Sequence, residues 1–153
     1  MTDCSVVQKT WGELSVDELY AFLKLRTDVY FVEQRIDEEE LDNRDQDAVH
    51  LWISDERGCA AYLRVLEYPE PGHLDAHWSF GRVAVRQDRR GEGLAQALIG
   101  RVMEQWGDRA MFLHAQEYIV PLYERYGFAV VGPVYIEAAL PHVPMYRPAA
   151  RLD

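Results

Sequence analysis

The sequence has little cysteine: Cys4 and Cys59 are the only two in 153 residues. Two thiols cannot build a disulfide framework and these have no metal-ligand spacing, which points to a reducing, cytoplasmic setting. There is no run of eighteen apolar residues and no charged-then-apolar leader, so neither a membrane span nor a secretory signal is expected. Cations are scarce as well, with 16 Lys and Arg against 26 Asp and Glu and a formal charge of −10. That balance argues against nucleic acid or an anionic membrane as a partner and is compatible with a cationic amine substrate. No serine sits in a nucleophile-elbow setting and neither cysteine has a catalytic context. His73 and His77 lie in a Pro/Gly-containing loop with no further ligand cluster, so no metal is expected.

What the chain does have is an anion cradle. Residues 83–95, VAVRQDRRGEGLA, run from a strand through a glycine-bearing turn into a helix. Val83, Ala84 and Val85 suit a buried strand, and apolar residues then recur at helical spacing, with Leu94, Ala97, Leu98, Arg101, Val102 and Gln105 along one stripe. A helix N-terminus leaves backbone N–H groups unpaired and carries partial positive charge, so a phosphate can sit there without a side-chain cation. Gly91 and Gly93 let the backbone approach it. The loop is not a P-loop, because no Lys and hydroxyl pair follows Gly93. It is not a dinucleotide fingerprint either, since Gln96 stands where a third glycine belongs.

The segment does resemble the Arg/Gln-x-x-Gly-x-Gly/Ala motif of the GNAT acetyltransferases, with Arg90, Gly93 and Ala95 at its specified positions. Leu122-Tyr123-Glu124-Arg125-Tyr126-Gly127-Phe128 resembles a second signature of that family, Leu/Phe-Tyr-x-x-x-Gly-Phe. The stretches TWGELSVDELYAFLKLRTDVYFVEQR, FGRVAV, HAQEYIVPLYERYGF and YIEAALPHVPM are similar to the ElaA-like group over almost the whole chain. Two departures stand out. Ala138-Ala139 replaces the Asp-Gly pair usual in that group between Glu137 and the final strand, and Gln116 stands where many members have asparagine.

The resemblance implies a single N-acetyltransferase domain over 1–153 with an α/β GNAT (acyl-CoA N-acyltransferase) fold. Its mixed sheet would have six to seven strands, a splayed central pair and flanking helices. It further implies acetyl-coenzyme A as cosubstrate, with no metal. Main-chain groups of Val83, Ala84 and Val85 would hold the pantetheine arm, amides of Arg90, Gly91, Glu92, Gly93, Leu94 and Ala95 the pyrophosphate, and Gln116 the place of the usual asparagine. Tyr123 would protonate the departing thiolate. Glu33, Glu137 and His142 are the candidate bases. The acceptor would be a small-molecule or peptide amine, and a homodimer is compatible with the pattern. The other reading is a coenzyme-A-binding sensor or interaction protein of the same fold, which the Ala138-Ala139 replacement leaves open.

Local patterns give the remaining elements. Ser15 and Glu18 form a capping box ahead of a helix over 16–32, buried through Leu19, Phe22, Leu23, Val29 and Tyr30. Residues 37–47, DEEELDNRDQD, read as a solvated loop or short helix, with cationic acceptors as a lesser role. Strands are expected over 5–9, 49–54, 59–67, 78–85 and 109–115, with a hairpin turn at 55–58 and a loop over 68–77. A short helix over 117–126 should end at Gly127, and the apolar run from Ala129 should form a strand before the final one.

Overall fold

The structure is a computed structural model that describes residues 5–150, so Cys4 lies outside it. The chain divides into two compact units. The first comprises residues 1–65 and 82–101, the second residues 66–81 and 102–153. Strand pairing follows the order β1-β2-β3-β4-β5-β8-β6, with β7 also on β8, which makes eight strands where six or seven were expected. The sheet is mixed: β4 and β5 are parallel, and the other pairings described are antiparallel. Among the described residues no helix is long and apolar enough to cross a membrane.

In the first unit β1 (Val7–Thr10), β2 (Val49–Asp55) and β3 (Gly58–Glu67) form an antiparallel meander. Helix α1 (Val16–Thr27) opens on the expected box, with the Ser15 hydroxyl accepting from Glu18 N and the Glu18 carboxylate accepting from Ser15 N. It buries Phe22 and Leu25 against Trp52 and Tyr62. The Phe22 ring stacks on Tyr62 at 4.5 Å and on His50 at 4.9 Å. Instead of continuing as α-helix to residue 32, the chain rewinds into a π-helical turn over Asp28–Glu33. That wider turn keeps Val29 buried and leaves Phe31 and Val32 exposed.

The acidic segment is mostly exposed and ends in a 3-10 turn over Asp45–Asp47, as a solvated loop or short helix would, but Glu40, Asp42 and Asp45 turn inward. Asp45 is buried and accepts from Arg26 at 2.7 Å and from Arg64 at 2.9 Å. Asp42 pairs with Arg64, and Glu40 receives Arg26 at 2.6 Å and Arg82 at 2.8 Å. Three arginines from separate elements thus converge on three carboxylates of one loop. Burial alone would raise Asp42 and Asp45, but the guanidinium hydrogen bonds outweigh it and hold both carboxyls below their ordinary range. No buried side-chain nitrogen or oxygen among the described residues lacks a partner.

Strand β4 (Trp78–Val85) has the predicted limits, with one irregularity. Arg82 has φ +53, in the left-handed region, in mid-strand. A non-glycine residue held there bends the strand as a bulge does. Pairing of β4 with β5 (Met111–Gln116) stops after two residue pairs, Trp78 with Met111 and Ser79 with Phe112. Helix α2 (Leu94–Trp106) buries Leu94, Leu98, Ile99, Val102 and Trp106. The expected stripe was therefore rotated: Arg101 is half-buried, Gln105 is exposed, and Ile99 and Trp106 face inward.

In the second unit β5 pairs along its whole length with β8 (Leu140–Arg147). The expected helix over 117–126 is a 3-10 turn, Glu117–Ile119, followed by a short α3 (Val120–Glu124). Gly127 closes it with φ +92. The apolar run after Phe128 does not make one strand. Gly132 and Pro133 divide it into β6 (Ala129–Val130) and β7 (Tyr135–Glu137), since proline cannot donate to a ladder. Ala76, Ala110 and Phe112 form a small core under Tyr68 and Tyr146.

The buried His50 generates a pH dependence. Its Nε2 faces the Asp45 carbonyl at 2.8 Å and its Nδ1 the Tyr62 hydroxyl at 2.6 Å, and burial lowers its pKa. The unfolded chain therefore takes up the His50 proton first, so stability falls as pH drops below about 6.5, by at most ~1.4 kcal/mol per unit. Below about pH 4 the loss steepens, because Asp42 and Asp45 are protonated more readily in the unfolded chain. Urea unfolding across pH should show both limbs. In His50→Phe the slope between about pH 6.5 and 4 should vanish; an unchanged slope would show that another group titrates there.

Candidate active site

The first unit carries the cradle. After β4 the chain makes a 3-10 turn over Gln87–Arg89 and reaches α2 through Gly91 and Gly93, with φ +83 and +79. Both angles are costly for any residue with a Cβ, and a Cβ built at either glycine would point into open space. Gly93 begins the helix: its carbonyl accepts from Ala97 N at 3.0 Å, so the N–H groups of Leu94 and Ala95 lie in the first turn.

The cations around this turn are tied to carboxylates. Arg90 donates to Glu33 at 2.7 Å, Arg89 to Asp55 at 2.6 Å and to Glu92 at 2.9 Å, and Arg57 to Asp88 at 2.6 Å. Arg86 joins Asp55 to Asp88, and its hydrogen bonds hold the Asp55 carboxyl well below the usual range. Glu33 is thus engaged by the cradle through Arg90. The carbonyls of Val83 and Val85 are also partnered: the Tyr30 hydroxyl donates to the first at 2.7 Å and Arg90 Nε to the second at 3.1 Å. Each carbonyl oxygen retains a second lone pair. Ala84, between them, is buried in the core under α1.

In the second unit Tyr123 is 7 % exposed, with Phe80 and Phe128 edge-on to its ring at 5.8 and 6.3 Å. Burial, reinforced by Tyr118, pushes its pKa up, so the phenol stays protonated across the working range. On β5, β7 and β8 the pairings of Gln116 with His142, of Tyr135 with His142 and of Glu137 with Leu140 put polar side chains on one sheet face. His114, two residues before Gln116, shares that face. His142 is buried, with Nδ1 facing the Leu140 carbonyl at 2.9 Å and Nε2 3.9 Å from Glu137. A carbonyl can only accept, so Nδ1 carries the proton and neutral His142 keeps its lone pair on Nε2.

The comparisons agree with these two motifs. A family model described as an acetyltransferase (GNAT) domain matches residues 24–147, which include parts of both units. The chain belongs to the GNAT acetyltransferase family. It is similar to ElaA of Escherichia coli, 36 % identical over 147 residues that cover 89 % of this chain and 91 % of that protein. The crystal structure of ElaA gives a TM-score of 0.82 at 33 % identity and covers 94 % of this chain and 99 % of that one. An acyl-CoA N-acyltransferase from Pseudomonas aeruginosa also gives 0.82, at 35 % identity over 95 % of this chain and 99 % of that one. A third relative, the UPF0039 protein Mb2876c of Mycobacterium bovis, is 32 % identical over 94 % of each chain.

Within this GNAT chain His114 and Tyr135 each open a stretch that resembles the ElaA-like group, but only the pairing of β5, β7 and β8 brings them beside His142. His73 and His77 are engaged otherwise: His73 lies against the Tyr146 ring at 5.2 Å and His77 Nδ1 faces the Tyr68 carbonyl at 2.9 Å. Burial pushes the Cys59 thiol up to about 12, which leaves it un-ionised.

The Ala138-Ala139 replacement has a structural consequence. These residues are the two-residue turn joining β7 to β8, with φ +51 and +63. Positive φ at both central positions defines a type I′ turn, which favours Asn-Gly or Asp-Gly. Alanine there is strained by about 1–2 kcal/mol per residue. The double substitution Ala138→Asn, Ala139→Gly should raise Tm by several degrees, at about 2–4 °C per kcal/mol for a chain of this size. A lower Tm would show that the alanines make a contact worth more than the strain.

Proposed function

We propose that this protein transfers an acetyl group from acetyl-coenzyme A to a primary amine by direct attack of the amine on the thioester. The observation that carries the reading is the β4–turn–α2 cradle, with two positive-φ glycines leading to a helix N-terminus and its flanking arginines already neutralised. Such a site offers a pyrophosphate backbone N–H groups rather than side-chain charge. Main-chain groups of Val83 and Val85 are the proposed partners of the pantetheine amides, a β-augmentation. Gln116 is their proposed side-chain companion.

In the proposed reaction the amine nitrogen bonds to the acetyl carbon, the carbon–sulfur bond breaks, and one proton leaves the nitrogen. His142 receives that proton at Nε2. It is preferred to Glu33, which is paired with Arg90, and Glu137 beside it would stabilise the imidazolium. Tyr123 meets the thiolate. A phenol near or above pKa 10 is a weaker acid than a thiol near 8.5, so full transfer would be uphill by about 2 kcal/mol. Its contribution is a hydrogen bond to developing charge, which a buried, protonated phenol can supply.

Two measurements test the reading. Acetyl-coenzyme A should stabilise the folded protein by about 2.7 kcal/mol at a hundred times its Kd. Gly93→Asp, which sets a carboxylate where the phosphates would lie, should abolish the shift. No thermal shift with millimolar acetyl-coenzyme A would sink the cradle assignment.

With a panel of primary amines and thiol release as the readout, Tyr123→Phe should keep acetyl-coenzyme A affinity and lower kcat by about 10²-fold, the lower end for a positioned acid. Unchanged kcat would remove Tyr123 from the chemistry. Acetyl-coenzyme A binding without turnover of any amine would favour the sensor reading.

A further inference from the structure

Strand β7 is three residues long, with Tyr135 half-buried and Ile136 and Glu137 exposed, and is joined to β8 by a strained turn. Three residue pairs on β8 are all that hold β7, so it is a loose cover for the side chains beside it. One side chain compensates. Tyr135 reaches across from β7 to β5, where its hydroxyl meets His114 Nδ1 at 2.6 Å. Its ring also lies against the His142 imidazole, with centroids 5.9 Å apart and planes inclined by 29°. The His114 ring stands nearly perpendicular to the Tyr135 ring at 81°. The phenol can donate to His114 Nδ1 or accept from it, and the His114 tautomer follows whichever direction holds. Burial and the nearby Glu137 raise the Tyr135 pKa, which keeps the phenol protonated.

His142 is thereby constrained on two sides: the Leu140 carbonyl at Nδ1 and the Tyr135 ring over its face. The carbonyl selects the tautomer, but Leu140 lies beside the strained turn, before the residues of β8 that pair with β5. The Tyr135–His114 bond links that hairpin to β5, which pairs with β8 over six residue pairs. We propose that Tyr135 and His114 are positioning residues that hold the Nε2 lone pair of His142 in its working orientation. The inference rests on the acetyltransferase reading for its consequence in turnover, whereas the orientation of His142 can be measured without any acceptor.

The experiment has two arms. In the first, ¹⁵N spectra of the histidines at fixed pH report the tautomer of neutral His142 in the wild type, Tyr135→Phe, Tyr135→Leu and His114→Ala. The wild type should show the Nδ1–H form alone, and Tyr135→Leu a mixture of both. Tyr135→Phe, which keeps the ring and loses the bond to His114, should fall between. In the second arm, Tyr135→Leu should lower kcat about tenfold or more, a scale typical of lost orientation, with acetyl-coenzyme A affinity unchanged. His114→Ala should lower it less. His114→Gln, whose amide oxygen can still accept from Tyr135, should restore most of the loss. A purely structural role would lower Tm in the variants and leave the tautomer alone.

A single Nδ1–H tautomer in Tyr135→Leu would overturn the proposal whatever the enzyme's acceptor. If Tyr135→Leu does not fold, a single Nδ1–H tautomer in both Tyr135→Phe and His114→Ala, where the lost bond is the only change at the hairpin, overturns it equally. A wild type that acetylates no amine while the tautomer shifts as stated would overturn the acetyltransferase reading and leave the positioning role standing.

Discussion

The convergence of Arg26, Arg64 and Arg82 on Glu40, Asp42 and Asp45 is the constraint on which the first unit depends. Arg26 is completely buried and Arg64 nearly so. Guanidinium groups withdrawn from water in this way are tolerable only where carboxylates and carbonyls meet their donors. The 40–45 segment meets that requirement, and in doing so ties α1, β3 and β4 to one another with only the start of a 3-10 turn at Asp45 as regular structure. Such a cluster is weak evidence for stability compared with an apolar packing of equal volume. What it provides is geometry: each planar fork meets its partners from fixed directions.

That geometry reaches the cradle through Arg82. The residue whose backbone adopts φ +53 is also the one whose side chain holds Glu40, so the conformational cost of the bend in β4 is offset at the same position. The next residue is Val83, whose carbonyl meets Tyr30 from the π-helical turn at the end of α1. Further along the chain, Arg90 returns to Glu33 of the same helical turn. The helix end, the bent strand and the glycine turn therefore form a closed circuit of contacts, and the direction in which β4 delivers the chain to α2 is set by ion pairs several residues upstream.

Local signals in the sequence were sufficient for whatever local chemistry decides. The Ser15 capping box, the 78–85 strand and the glycines at 91, 93 and 127 could all be placed, because each depends on backbone geometry within a few residues. The inward turn of Glu40, Asp42 and Asp45 could not be, since a run of Asp and Glu looks solvated until its arginine partners, 14 to 42 positions away, are brought beside it. The helix phase of α2 slipped for a related reason: Arg101 and Gln105 lie at helical spacing from Leu94, and only packing shows that Ile99 and Trp106 face the interior. His114 and Tyr135 stand at the head of two stretches that carry the family resemblance, yet nothing in those stretches joins one to the other. Their relation to His142 exists only in the register of three strands.

The side-chain caps on Val83 and Val85 have a consequence for the life of the protein in solution. A strand whose main-chain acceptors are left without partners is a template to which another chain can add, and it invites aggregation. Tyr30 and Arg90 occupy those acceptors with groups that cannot extend a ladder. What each carbonyl keeps is a single lone pair, too little to start a ladder with a second polypeptide.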